Sequence, residues 1–353
     1  MNRYIAIMAG GVGSRFWPSS TEDRPKQFLD ILGIGKSLLR MTFERCSELV
    51  PDQNILVVTN KKYKGLVMQH LPELAEQNVL CEPSMNNTGP CVAYAALHIQ
   101  AVDPQAVFAV LASDHIILKE DEYLKVLDKA FTFAETHEAL VTLGIEPTRP
   151  DTGYGYINYN TEAIKGGYSG VYKVRSFKEK PDAVTARAYV DSGEYLWNAG
   201  MFVWSVKSIL GAFEKYSQQI LQTLSRDTKK YNTPEEQAYI DEVYPATEKI
   251  SIDYAILERA DEVYTLPADI GWSDLGTWNS LHAYLSEGKD TVTIGKNIRL
   301  IDCRDTMVVS NNDKTIVIKG LDDYIVVDEE NALLIYPKSQ EQEIRKVVAD
   351  LKV

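Results

Sequence analysis

The sequence predicts an α/β protein, a doubly wound sheet followed by a small β-rich domain, and three observations predict it. Between residue 1 and about 145, short apolar runs alternate with stretches of helical periodicity, the pattern of strands feeding crossover helices onto a parallel sheet. The first apolar run stops abruptly at Gly10, Gly11 and Gly13, as a strand does where its carboxyl end opens into a ligand loop. Beyond about residue 290 apolar centres recur near Val308, Val317, Val326 and Leu334, with Asn, Asp and Gly between them. That even spacing, about nine residues, points to a short stacked β-solenoid. The domains are therefore read as 1–288 and 289–353.

Taken in order, Tyr4–Ala9 is the first buried parallel strand, followed by Ile55–Thr59, Val79–Cys81, Val107–Ala112 and Leu140–Gly144. Helical periodicity fills Ser37–Leu49, Thr88–Ala101 and Glu122–Thr136 between them, the first with Leu39, Phe43 and Cys46 on its inner face. Residues 150–290 mix strands and helices with no linker, and read as an extension of the same domain. They end in a helix that turns Trp278, Leu281 and Leu285 inward, and a last helix, Ser339–Leu351, closes the β-domain.

The 353 residues, 45% hydrophobic and 25% charged, are ordinary globular values. No apolar run approaches a membrane span, and Arg3 and the glycines stand where a signal peptide would need its apolar region. Cys46, Cys81, Cys91 and Cys303 show no CxxC spacing, and the five histidines no metal-ligand spacing. The expectation is a cytoplasmic protein with reduced thiols. A net charge of −13 argues against nucleic acid. Two basic islands stand out: residues 1–40, with six cations against three anions, and Val171–Lys180, with Lys173, Arg175, Lys178 and Lys180 against Glu179. Such islands on an acidic chain suit a small anionic substrate and a metal.

Gly10-Gly11-Val12-Gly13 lets backbone N–H groups turn toward an anion, and Arg15 and Lys26 add two cations, a combination that suits a triphosphate. The commoner phosphate loops are excluded. Phe16 stands where a dinucleotide fingerprint needs its third glycine, and Asp30 where a Walker loop ending at Gly35-Lys36-Ser37 needs its first. Asp114 follows the strand Val107–Ala112, and Asp274 lies in Gly271-Trp272-Ser273-Asp274-Leu275-Gly276-Thr277-Trp278. Either carboxylate suits Mg²⁺ beside phosphates, and either equally suits the start of a helix.

The wording Gly-Gly-x-Gly-x-Arg, Trp17-Pro18-x-Ser20 and Pro25-Lys26-Gln27-Phe28 resembles the sugar nucleotidyltransferases and, within them, the mannose-1-phosphate guanylyltransferases. The resemblance runs in order through Glu82–Pro90, Leu111–His115, Gly153–Ile157, Phe177–Pro181, Trp197–Phe202, Ser251–Ala255 and Gly271–Trp278. Three departures are visible: Asn86 for the motif's arginine, Gly89 for its alanine, and Ala112 for its proline. The resemblance implies a Rossmann-like, glycosyltransferase-A-like mixed sheet, and transfer of GMP from GTP to α-D-mannose 1-phosphate. It implies Ala9, Gly10, Gly11, Gly13, Ser14, Arg15, Glu82, Asn87, Thr88 and Ser113 on the nucleotide. It implies Gly153, Tyr154, Glu179, Lys180, Asn198 and Asp253 on the sugar phosphate, and Asp114 and Asp274 on Mg²⁺ or Mn²⁺. Arg15, Lys26 and Lys180 are the implied catalytic cations, and the implied assembly is a homodimer without nucleic acid or membrane partners. Two alternatives stay open. One is a transferase for another base or sugar 1-phosphate; the other is a silent sugar-nucleotide-binding regulator, which predicts erosion of Arg15, Lys26, Asp114, Lys180 or Asp274, all of which are present.

Overall fold

The computed structural model describes residues 2–162, 164, 168–286 and 288–351. Its packing forms two compact units that do not follow the chain. One comprises Met1–Gly10, Phe43–Ser113 and Ile117–Trp272; the other comprises Gly11–Thr42, Asp114–Ile116 and Ser273–Val353.

The first unit is built on a nine-stranded mixed sheet. Its parallel part orders the strands Val79–Glu82, Ile55–Asn60, Arg3–Met8 and Val107–Ala112. The long strand Tyr195–Ser205 then runs antiparallel to both Val107–Ala112 and Leu140–Ile145. Val263–Pro267, Tyr172–Lys178 and Tyr156–Tyr159 complete the sheet. The five expected strands before residue 145 all form, each within a residue of its expected end. The first stops at Met8 rather than Ala9, whose N–H goes to the Val58 carbonyl while its own carbonyl accepts from Thr59 Oγ1 at 2.8 Å. Those bonds turn the chain out of the ladder and into the glycines.

Helix Thr88–Val102 is apolar all round and buried from Gly89 to Ile99, as a helix enclosed on every side must be. Its Tyr94, Leu97 and Ile99 share one core with Ala6, Val58 and Val110 of the sheet and with Phe213, Ile240 and Ile256. Helix Glu120–Thr136 keeps a single buried face of Tyr123, Leu127, Ala130, Phe131, Phe133 and Ala134.

In the second unit the nine-residue spacing proves to be half of a coil. Thr291–Ile294, Thr306–Ser310 and Tyr324–Asp328 stack in parallel in one sheet, which the antiparallel Leu333–Pro337 closes. Ile298–Ile301 and Ile316–Lys319 pair in parallel in another. The first three apolar centres, Val308, Val317 and Val326, therefore alternate between sheets, with Val308 stacked on Val326, while the fourth, Leu334, stays in the sheet of the third. The expected terminal helix is corrected in one respect: Lys338–Glu343 is a tight 3₁₀ stretch and the α-helix begins only at Ile344. Asp323 accounts for the change, since its carbonyl and carboxylate take the Lys338 N–H and the Ser339 hydroxyl. The inward residues Met307, Val309, Ile325, Val327, Leu334 and Ile344 pack into a core with Phe16, Leu29, Leu38, Leu275, Trp278 and Leu281. Among the described residues no helix is long and apolar enough to cross a membrane.

Candidate active site

The glycine loop is held open by its own backbone. Gly13 has φ +71°, and a Cβ there would strike the Lys26 side chain, so only glycine lets the lysine stem pass. At Gly11 nothing lies within 4 Å of an added Cβ. Ser14 starts a single helical turn, Ser14–Phe16, and places Arg15 at its centre. The Arg15 Nε–H is buried without a hydrogen-bond partner among the described residues, a donor that an anionic oxygen would satisfy.

Lys26 is 4% exposed. Its main-chain N–H donates to the Val12 carbonyl at 3.2 Å, and its ammonium donates to Asp114 Oδ2 at 3.0 Å and to the Asp274 carbonyl at 2.6 Å. The two aspartates expected to share a metal are thus drawn onto one cation. Burial pushes the Asp114 carboxyl up, but the charges of Lys26 and His115 and the hydrogen bonds outweigh it and hold the group below its ordinary value. Asp274 folds its carboxylate back onto the Gly276 N–H at 3.1 Å, and the next residue, Leu275, takes φ +42°. The Asp114 carboxylate and the Asp274 carbonyl that accept from Lys26 Nζ are oxygens, the ligand type that a hard divalent cation prefers.

The expected nucleotide residues of the other unit line the end of the parallel strands. Ala9 is fully buried, Gly10 sits with its Cα facing Glu82 Oε2, and Ser113 donates its N–H to the Met8 carbonyl at 3.1 Å. Glu82 ends its strand, 7% exposed, and accepts from the Tyr244 hydroxyl. Burial raises its carboxyl to about 7, against the opposing hydrogen bonds from Tyr244 and Cys91. Asn87 caps the following helix through the Thr88 N–H, in a conformation (φ +70°, ψ −174°) that is close to glycine's own. Strain of this kind concentrates at binding sites. Thr88 Oγ1 accepts the Ile252 N–H at 2.9 Å, so its hydroxyl ties this segment to Ser251–Ala255. Asn86, where the motif has arginine, is 1% exposed and donates inward to Tyr244 O, Thr247 O and Thr247 Oγ1. It is a clamp on the chain and presents nothing to a base.

The expected sugar-phosphate residues gather in the same unit. Asn198 donates to Asp253 Oδ1 at 2.8 Å while its own carbonyl accepts the Gly200 N–H at 3.0 Å, which fixes the amide's orientation. Asp253 lies in a π-helical turn, Asp253–Leu257, a rare form found at functional sites. Burial and the neighbouring Glu179 raise its carboxyl to about 6. Glu179 accepts from Lys180 Nζ at 2.7 Å, and Lys180 is held at φ +48°. Tyr154 packs edge-on against Trp197 and Trp272, with the Arg149 guanidinium over its ring. Gly153 gives its N–H to Asp151 Oδ1 at 2.8 Å.

Gly155 belongs to the same cluster, and the reading from sequence left it unassigned. A Cβ there would collide with the Glu179 carboxylate and press on Asn198. Its signal was present in Gly153-Tyr154-Gly155, but spacing does not say which of two glycines faces the carboxylate. Arg149 and Tyr244 carry no sequence signal, because their partners are not marked by any motif. No group of three or more His, Cys, Asp or Glu suited to a metal occurs among the described residues, so two carboxylates would rely on substrate oxygens to complete any coordination shell.

Residues 5–290 match the nucleotidyl transferase family model, and 295–351 match the mannose-phosphate isomerase/GMP-like β-helix domain. The mannose-1-phosphate guanylyltransferase of Salmonella muenchen is 36% identical over 98% of this chain and 72% of its own length. The Escherichia coli K12 protein of the same description is 34% identical over 99% and 73%. The crystal structure of mannose-1-phosphate geranyltransferase from Thermus thermophilus superposes with a TM-score of 0.89 at 29% identity, covering all of both chains.

Proposed function

This chain belongs to the mannose-1-phosphate guanylyltransferase family of nucleotidyl transferases, and we propose that it transfers GMP from GTP to α-D-mannose 1-phosphate. The observation that carries the chemistry is the buried Lys26 ammonium shared by Asp114 and Asp274 beside the glycine loop. An oxygen of the sugar phosphate attacks the α-phosphorus in line. The bond from that phosphorus to the bridging oxygen breaks, and pyrophosphate leaves with the electron pair. The attacking oxygen is already ionised at neutral pH, so no side chain need remove a proton, and catalysis rests on position and charge. A divalent cation, Mg²⁺ or Mn²⁺, on Asp114 and Asp274 would offset charge at the phosphates. Lys26 draws the α-phosphate, the unpartnered Arg15 N–H steadies the departing pyrophosphate, and Lys180 holds the sugar phosphate. Glu179, Asp253 and Asn198 accept from and donate to the sugar hydroxyls. Glu82, Asn87 and the glycine loop take the nucleotide.

We read residues 1–288 as the transferase and 289–353 as its β-domain, and the assembly as a homodimer, for which light scattering should return twice the chain mass. Pyrophosphate release with mannose 1-phosphate and Mg²⁺, comparing GTP with ATP, UTP and dTTP, tests the reaction. Release with GTP alone is expected. Release with another triphosphate keeps the mechanism and changes the base; release with none, for mannose or any other sugar 1-phosphate, overturns the reading.

A further inference from the structure

The reaction leaves Trp17-Pro18-Ser19-Ser20 without a chemical role, and the contacts of that segment lead away from the phosphates. Ser20 Oγ donates to the Val12 carbonyl at 2.5 Å, inside the glycine loop. Ser19, 6% exposed, donates instead to Glu329, in the turn after the strand Tyr324–Asp328. Glu329 also takes Asn311 Nδ2 at 2.6 Å and lies 3.9 Å from the Arg24 guanidinium. Its side chain is 13% exposed.

A second carboxylate from the same end of the chain works at the other end of this loop. Glu341, 8% exposed, accepts the Asn279 N–H at 2.8 Å in the first turn of the helix Trp278–Ser286. Burial pushes its carboxyl up, opposed by the Asn279 and Thr277 hydrogen bonds and by the charge of Arg15. Trp278 in turn donates Nε1–H to the Trp17 carbonyl at 3.2 Å and packs on Phe16, with ring centroids 4.8 Å apart. The helix Ile344–Leu351 packs on the turn Ser14–Phe16 that carries Arg15.

A buried carboxylate costs several kcal/mol unless it is paired, and a solenoid stacked on Met307, Val309, Ile325 and Val327 has no need of one. Glu329 accepts from Ser19 of the phosphate loop as well as from Asn311, and Glu341 accepts from the helix that begins just after Asp274. We propose that the C-terminal β-rich segment is a positioning element for triphosphate binding: Glu329 anchors the loop at Ser19 and Arg24, and Glu341 holds the start of the helix at Asn279, next to the Trp278 that bonds the Trp17 carbonyl. The inference rests on the reading of Arg15 and Lys26 as triphosphate ligands. It separates the two substrates, because a loosened loop loses GTP while the Glu179–Asn198–Asp253 cluster keeps the sugar phosphate.

The test uses the full chain with Glu329→Ala, Glu341→Ala and Ser19→Ala; the last removes the Glu329 contact from the loop side should Glu329→Ala fail to fold. Glu341→Ala removes the acceptor for the Asn279 N–H. KM for GTP should rise about tenfold in the two carboxylate variants and less in Ser19→Ala. KM for mannose 1-phosphate should stay within about twofold. Hydrogen exchange of residues 11–30, measured without substrate, should quicken while the thermal midpoint holds. Equal rises in both KM values, or an unchanged KM for GTP with wild-type exchange in the loop, overturn the inference. If the wild type releases no pyrophosphate, the functional reading has failed. Loop exchange then decides alone: faster exchange confined to 11–30 upholds the anchoring and unchanged exchange refutes it.

Discussion

The carboxylates at Lys26 and those around Asn198 are both half-buried, and they are handled in opposite ways. Asp114 has a fixed ammonium 3.0 Å away and sits below its ordinary pKa. Asp253 has an amide partner and a neighbouring carboxylate, Glu179, and is pushed up to about 6. The first arrangement is balanced for charge and prepared for phosphates and a divalent cation, whose strong charges need preset partners. The second carries surplus negative charge close to titration, a suitable host for hydroxyl donors and for the counter-charge of Lys180. In the proposed reaction the contrast sets a centre for the reacting phosphates against one for the sugar, and each variant below touches one side of it.

Lys26→Ala should have the largest effect. It removes the cation proposed to meet the reacting phosphate and leaves the half-buried Asp114 carboxylate without its ammonium partner. A fall in kcat of about a thousandfold is expected, the scale for losing one preset charge at a reacting centre. Steady-state pyrophosphate release with Lys26→Ala within tenfold of wild type would show that Lys26 is only a structural tie between Asp114 and Asp274. Asp114→Ala should cost about a hundredfold in kcat with little change in GTP affinity, measured by equilibrium titration, and excess Mg²⁺ should not restore it. An unchanged kcat would remove Asp114 from the chemistry.

How far the sequence carried this contrast depends on which residues act on near neighbours. The parallel strands were legible because apolar runs ended at glycines and turns, and Ala9 and Ser113, in the same unit, follow directly on two of them. The alternation of the C-terminal strands between two sheets was not legible, because an even spacing of centres is the same for one sheet or two. The inward role of Asn86 was hidden for a related reason. Its partners, Tyr244 and Thr247, lie 158 and 161 residues away, and a motif shows only that the residue has changed. Glu82 was named as a nucleotide residue, but nothing in Glu82-Pro83-Ser84 announces that it is buried against Tyr244 or that its carboxyl is raised.

That raised carboxyl sharpens the comparison through pH. The folded state holds Glu82 at about 7 against 4.5 for the free group, so folding favours its protonated form. Below pH 4.5 the group costs nothing. As pH climbs from there to 7 the unfolded chain ionises first, stability falls, and the loss is complete above 7. At about 1.4 kcal/mol per unit the full loss is about 3 kcal/mol. Glu82→Gln should therefore raise unfolding free energy at pH 8 while leaving it nearly unchanged at pH 4, by urea titration at both. A gain of equal size at the two pH values would mean that the ionised carboxylate is not the cost.

Asn198→Ala should give the smallest change and the cleanest separation. The amide touches no reacting phosphate. It spends one N–H on Asp253 and its carbonyl on Gly200, so the side chain is fixed before substrate arrives. Losing it removes one donor to a sugar hydroxyl and leaves Asp253 and Glu179 facing each other with less to hold them apart. A hydrogen bond to a charged or sugar partner is worth roughly 1.5 kcal/mol, so KM for mannose 1-phosphate should rise about tenfold with kcat near the wild-type value. KM for GTP should not move, which places the effect on one side of the comparison. If instead kcat falls with KM unchanged, the bond is made only in the transition state, and the cluster around Asn198 would have to be counted with Lys26 as part of the catalytic charge rather than as a holder of the sugar.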